Sequence, residues 1–325
     1  MSSIFNLFRS SSASDFSLPY ARKTADWNIV LWLLVPAWLL FWLWTNPPHG
    51  FDLAFEHQFY VNNAWPLHAD GRIEFWLHFM PKVISGVLFA CVLGALTYLH
   101  QCRRAAVILG DHEDAAHCNL ILSRLYYAVG AALLCVGLLW WLKQSTGVSC
   151  PWSVTEFGGS AAVADPGLPF LPKPGRCWPS GAAGSGFCLL PLYFAFRDFR
   201  PRLARLLLAL ALLSGFGAGF ARVVVGAHFP SHVFAALALD WLISAGIYIA
   251  AFDRAGLVRK LRALLPFGRR STEDQPGRVT LYLFTSLWWA IVFNGPMTAK
   301  LAIDNNLVTT DSLILSLGTT AAFAF

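Results

Sequence analysis

Apolar residues run through this chain in long windows, with neither the strict alternation of a half-buried strand nor the single apolar stripe of a soluble helix. Windows suited to crossing ~30 Å of hydrocarbon as helices fall at 27–44, 83–99, 126–142, 184–196, 206–225 and 233–252. A seventh, at 281–293, is shorter, and an eighth begins near Leu313 and stops at Phe325. The pattern predicts an all-α polytopic membrane protein: a six-helix transmembrane core followed by one or two extra C-terminal transmembrane helices. Because the last run is cut off within the hydrocarbon, a longer parent protein is expected.

Composition agrees. Hydrophobic residues make up 56% of the chain and charged ones 13%, with 14 tryptophans, 26 phenylalanines and a mean hydropathy of +0.53. A soluble domain does not carry so little charge.

The basic residues give orientation, since short cytoplasmic loops are enriched in Lys and Arg. Arg9, Arg22 and Lys23 precede the first window; Arg103, Arg104 and Arg124 lie between the second and third; Arg197, Arg200, Arg202 and Arg205 lie between the fourth and fifth. Arg254, Arg259, Lys260, Arg262, Arg269, Arg270 and Arg278 follow the sixth. These positions place the N-terminus in the cytoplasm and the intervening loops outside. The net charge of +6 is accounted for by this topology and by contact with anionic lipid headgroups, and nothing in it calls for nucleic acid. The start of the chain lacks a signal-peptide cleavage pattern, so the first window reads as an uncleaved helix.

The expected organisation is a cytoplasmic tail at 1–26, the six-span domain at 27–252, a basic cytoplasmic linker at 253–278 and a C-terminal transmembrane segment at 279–325 that opens a second domain. The outer loop 45–82, mixed apolar and polar with many aromatics, predicts short helices lying in the interface and lining a lipid entrance at 51–80. Of the seven cysteines, only Cys150 and Cys177 face outward. A disulfide between them is expected in an oxidising compartment.

Candidate chemistry gathers at the outer surface. Lys143 ends the third window, Pro179-Ser180-Gly181 opens the fourth, Arg222 closes the fifth, and "GAHFPSH" (226–232) joins the fifth to the sixth. Singly, these are a snorkelling lysine or arginine, a helix cap and a loop histidine. Together they describe a cationic pocket facing a helix N-terminus, which is the chemistry of a phosphate site. Histidines four apart, His228 and His232, also raise a metal site, but Pro230 between them breaks the helical register that would align them. Neither a metal nor a cofactor is expected.

These motifs resemble the type-2 phosphatidic acid phosphatase superfamily, membrane relatives of the vanadium haloperoxidases, whose motifs read Lys-x6-Arg-Pro, Pro-Ser-Gly-His and Ser-Arg-x5-His-x3-Asp. "KQSTGVSCP" (143–151) matches the first with Cys150 at the arginine position, and "PSGA" (179–182) matches the second with Ala182 at the histidine position. "RVVVGAHFPSH" (222–232) matches the third, with Ala221 at the serine position and His232 at the aspartate position. The resemblance implies a lipid phosphatase in which His228 is the nucleophile and becomes phosphorylated, His232 orients it, and Lys143, Ser180, Gly181 and Arg222 hold the phosphoryl oxygens. Arg176 is the candidate to supply the charge that Cys150 does not.

"RCWPSG" (176–181) and "GAHFPSH" are similar to variants in bacterial lipid phosphatases, which implies lipid A 1-phosphate as the favoured substrate and an active site on the periplasmic side of the inner membrane. Undecaprenyl and glycerol phosphates are the alternatives, as is a non-catalytic lipid-phosphate-binding role. Ala182 has no proton to give, and a general acid is worth about 10² to 10⁴ in rate, so near-inactivity is expected. With His228, Arg222, Lys143 and Ser180 all in place, a single deliberate His-to-Ala replacement accounts for Ala182 better than the decay of a pseudoenzyme. The segment after Arg278 faintly resembles the first spans of a lipid A phosphoethanolamine transferase, a possible fused partner domain beyond Phe325.

Overall fold

Long apolar windows have no polar solvent to satisfy their backbone groups, and they therefore close their hydrogen bonds within helices. A computed structural model describes residues 28–253 apart from 69, 165 and 167–174. The tail at 1–26, nearly all of the linker, the segment 279–325 and the two apolar runs within it lie outside the described residues. Helix α1 spans Asn28–Thr45 and contains Pro36; α2 spans His49–Glu56. Helix α3 runs continuously over Gly71–Ile108 and α4 over His112–Ser145. The short helices α5, Gly181–Phe187, and α6, Leu190–Phe196, precede α7, Pro201–Val224, and α8, Pro230–Phe252. Among the described residues no strand forms. Helices α3, α4, α7 and α8 are long and apolar enough to cross a membrane, while Leu31–Thr45 and Gly181–Phe196 are shorter apolar stretches.

Two boundaries near the motifs differ from expectation. The connection after α1 ends at Asp70, not at Lys82: the Asp70 carboxylate accepts from the Arg72 backbone N–H at 2.8 Å and caps α3. Residues 71–80, expected within the interface segment, instead form the start of the long helix α3, with a wider π turn over Glu74–Phe79. The window at 184–196 is the second difference. It begins at Gly181 and breaks around Cys188–Leu189, because Pro191 has no N–H to continue the ladder. Leu189 donates to the Gly186 carbonyl three residues back.

Small residues on α5 serve close packing. A Cβ added at Gly186 would stand 2.2 Å from the backbone nitrogen of Gly215 on α7, so the two backbones touch where any other residue would push them apart. Around this contact Phe187, Leu190, Phe194, Ala211 and Ala218 are buried. At the far end of the bundle Arg124 meets Asp198 at 3.1 Å and lies 3.9 Å over the Phe252 ring, while Arg197 lies 4.2 Å over Trp32. The Tyr248 hydroxyl donates to the same Asp198 carboxylate.

At the opposite end, long-range hydrogen bonds draw the connecting segments together. Thr146 Oγ1 donates to the Trp178 carbonyl at 2.8 Å, Cys177 N–H to Val148 at 3.0 Å, and Trp152 N–H to Gly226 at 2.8 Å. Ser180 N–H donates to the His232 carbonyl at 3.0 Å.

Candidate active site at one end of the bundle

Each sequence motif sits on a helix end, and the loop hydrogen bonds bring those ends together. Ser180 caps α5: its backbone is extended and its Oγ accepts from Ala183 N–H at 3.4 Å. Next to it Gly181 has no side chain, and the direction its Cβ would take meets Lys143 Nζ at 3.9 Å. The α4 ammonium thus lies against the first turn of α5. Ala182, in the same turn, is buried.

His228 follows α7 in the turn to α8. Its backbone N–H bonds the Arg222 carbonyl at 3.2 Å, and its Nδ1 lies 2.8 Å from the Cys177 carbonyl. A carbonyl only accepts, so Nδ1 carries the proton and Nε2 keeps its lone pair. The ring is 4% exposed. Burial holds its pKa well below the ordinary value, helped by neighbouring His232 and by the Lys143 and Arg222 cations. A neutral, oriented imidazole is what a nitrogen nucleophile requires.

His232 packs with its ring centroid 5.9 Å from that of His228, with no hydrogen bond between them. Its Nδ1 is buried without a partner among the described residues. The Cys177 carbonyl holds His228 instead. Cys177 in turn lies at disulfide distance from Cys150, with the Cα atoms 5.2 Å apart, which links the first motif to the loop that orients His228. Arg176 is exposed, and no hydrogen bond or ion pair joins it to these residues.

Arg222 Nη1 contacts Glu74 Oε2 at 3.2 Å and its guanidinium lies 5.6 Å from the Trp152 ring centroid. Glu74 was no part of the sequence-based site. It belongs to a stripe with His78 and Lys82 at four-residue spacing along α3. His78 Nδ1 donates to Glu74, and Lys82 Nζ donates to His78 Nε2 at 2.7 Å. The signal was present as Glu-x3-His-x3-Lys, one face of a helix, but it lies in a stretch that reads as loop.

Asp52 on α2 was also missed. It accepts from Ser231 N–H at 3.0 Å and from the Ser231 hydroxyl, tying α2 to the start of α8. Burial raises its pKa to about 6 against the opposing Ser231 hydrogen bonds. Glu56, one turn on, is fully buried, and burial with the nearby Asp52 charge pushes its pKa up to about 9. Among the described residues no group of three His, Cys, Asp or Glu side chains is arranged to hold a metal ion.

The sequence model of the PAP2 superfamily, the family that the motifs resemble, matches residues 122–255. This stretch runs from within α4 past the end of α8 and contains Lys143, Ser180, Arg222 and His228, while the stripe on α3 lies before it. The match implies phosphatase activity on phosphorylated lipids or similar substrates. No curated protein and no solved structure gives a significant match to the chain.

Proposed function

We propose that this protein is a membrane lipid phosphatase that removes a phosphate through a phosphohistidine formed on His228. The observation that carries the reading is His228 itself: buried, neutral, pinned at Nδ1 by the Cys177 carbonyl 2.8 Å away, and close enough to Lys143 and Arg222 to feel their charge. In the first step Nε2 attacks phosphorus while Lys143, Arg222, Ser180 and Gly181 hold the phosphoryl oxygens. The imidazolium that develops keeps its Nδ1–H on the Cys177 carbonyl. The leaving oxygen departs as the P–O bond breaks. Water then attacks the phosphohistidine and the P–N bond electrons return to His228.

The placement of the site at the end of membrane helices favours a lipid phosphomonoester. The run of arginines at the other end, Arg197 to Arg205, favours a periplasmic site in a bacterial inner membrane. Lipid A 1-phosphate is the favoured substrate on the similarity of "RCWPSG" and "GAHFPSH". A six-span core completed by α1 and by α5 with α6 is part of the same reading.

Position 182 supplies the test. Ala182→His places a general acid beside an intact nucleophile and raises phosphate release from a lipid phosphomonoester by about 10²-fold or more. The panel is lipid A 1-phosphate, undecaprenyl pyrophosphate, phosphatidylglycerol phosphate and phosphatidic acid. Failure on all four, with lipid binding retained, favours a non-catalytic lipid-phosphate-binding protein.

A further inference from the structure

We infer that Lys82, held in place by His78 and Glu74, delivers the proton to the leaving oxygen in this chain, taking over from the side chain that Ala182 lacks. The inference rests on the phosphatase reading above.

The first support is the hydrogen-bond line itself. A lysine ammonium only donates, so His78 Nε2 accepts from Lys82 Nζ at 2.7 Å, and His78 must carry its hydrogen on Nδ1, which it gives to Glu74. The other carboxylate oxygen of Glu74 accepts from Arg222 Nη1 at 3.2 Å. One end of the line therefore lies on the guanidinium assigned to the phosphoryl oxygens, and the other is the Lys82 ammonium.

Depth gives the second support. Helices α3 and α5 both run inward from the same end of the bundle, and Ser85 Oγ donates to the Ser185 carbonyl at 2.7 Å across them. One turn toward the mouth from Ser85 is Lys82, and one turn toward the mouth from Ser185 is Ala182. At ~1.5 Å of rise per residue the two stand level on adjacent helices. Lys82, Ser85, Ser185 and Cys188 line one cavity of about 300 Å³ with Ala132 and Val136 of α4, so Lys82 is on the side of α3 turned to α4 and α5. Lys82 is also close enough to Lys143 and Arg222 for their charges to act on one another.

The chemistry balances. As His228 Nε2 forms its bond to phosphorus, the P–O bond to the lipid breaks and the leaving oxygen takes a proton from Lys82 Nζ. Lys82 is left as the amine, hydrogen-bonded to His78. In the second half an incoming water gives that proton back to Lys82 as its oxygen bonds phosphorus, and the P–N bond breaks. Lys82 is thus a catalytic residue, and His78 and Glu74 position it.

The full chain in detergent micelles, assayed with phosphatidic acid, tests this in two backgrounds. Lys82→Met lowers phosphate release from the unmodified chain by about tenfold or more, and costs at least tenfold less in the Ala182→His chain, where the histidine supplies the proton. Lys82→Arg keeps the charge but not the ability to give up a proton, and matches Lys82→Met. His78→Asn lowers kcat of the unmodified chain by about 3- to 10-fold without raising KM, as expected when only the donor is misplaced. Rescue by Lys82→Arg, or an equal loss in both backgrounds, would reduce Lys82 to a phosphate clamp and overturn the inference. So would a chain that releases no phosphate until Ala182→His is introduced. If the Ala182→His chain is also inert, the phosphatase reading falls first.

Discussion

Where α8 ends, Arg124 is paired with Asp198 at 3.1 Å and stacked on Phe252, and Arg197 is laid over Trp32. Where α8 begins, Lys82, Lys143 and Arg222 lie close enough for their charges to interact, and one carboxylate, that of Glu74, is paired with Arg222. Glu56 nearby is neutral at pH 7, since its pKa is raised to about 9. The two ends hold the same residue types and use them differently. At one end Arg124 and Arg197 share the Asp198 carboxylate and lie over aromatic rings, which fixes helices to each other. At the other, cations exceed the carboxylate paired with them beside a neutral histidine, and under the proposed function a bound phosphate makes up the balance.

The largest effect that this asymmetry predicts is at the nucleophile. In the Ala182→His chain, His228→Asn should cut phosphate release by about 10³-fold or more and abolish acid-labile phosphoprotein trapped by rapid quench; a trapped phosphohistidine that survives would assign the chemistry elsewhere. Next comes the cation excess. Lys143→Ala should raise KM for the lipid phosphate by about 10- to 100-fold, the worth of one charged hydrogen bond. Asp198→Asn at the far end should lower the thermal midpoint while KM stays within about twofold. Equal effects on KM would mean that the two ends do not differ as described.

A stability test is the third. Opening the Cys150–Cys177 link, which spans 27 residues, by reductant or by Cys150→Ser should cost about 3 to 4 kcal/mol in a denaturation curve. It should also slow turnover, because the carbonyl that holds His228 is then less fixed. Per pH unit, the smallest effect concerns Glu56. A carboxyl with a raised folded pKa stabilises the fold at low pH, and this support is lost as pH rises from about 4.5 toward about 9. The expected fall is about 1.4 kcal/mol per pH unit at most. Glu56→Gln should flatten the dependence of the thermal midpoint on pH between 5 and 9.

Much of this was legible before any coordinates. Helices α4, α7 and α8 follow from apolar length alone, since hydrocarbon admits few other structures. Lys143, Ser180, Arg222 and His228 stand out as candidates in the sequence because each lies beside a helix end. Other features depend on tertiary contact. That the Cys177 carbonyl, rather than His232, holds His228 is a backbone interaction across 51 residues, and backbone groups carry no signature in sequence. Glu74, His78 and Lys82 were obscured differently. Flanked by Phe75, Trp76 and Phe79, they lower the hydropathy of a stretch that is nonetheless helical, so the apolar window begins the span too late. Asp52 and Glu56 read as surface charges on a short amphipathic helix until their burial against α8 is seen.

The touching backbones of Gly186 and Gly215 determine which parts of the site can move. With 2.2 Å between one glycine's virtual Cβ and the other's nitrogen, α5 cannot slide along α7 without collision, since close-packed interfaces are stiff and shift only between discrete arrangements. The Ser180 turn and the His228 turn consequently travel as one rigid jaw. The outer end of α3 has no glycine interlock of this kind: it meets that jaw through side chains, with Ile73 packed on Val224, Val225 and Ala227 and Glu74 bonded to Arg222, and its wider π turn lies at the same place. A breathing motion that admits a bulky headgroup must therefore hinge on α3. Amide exchange at 71–80 should be faster than at 181–187, and a bound phosphate that bridges the two sides should slow the first far more than the second.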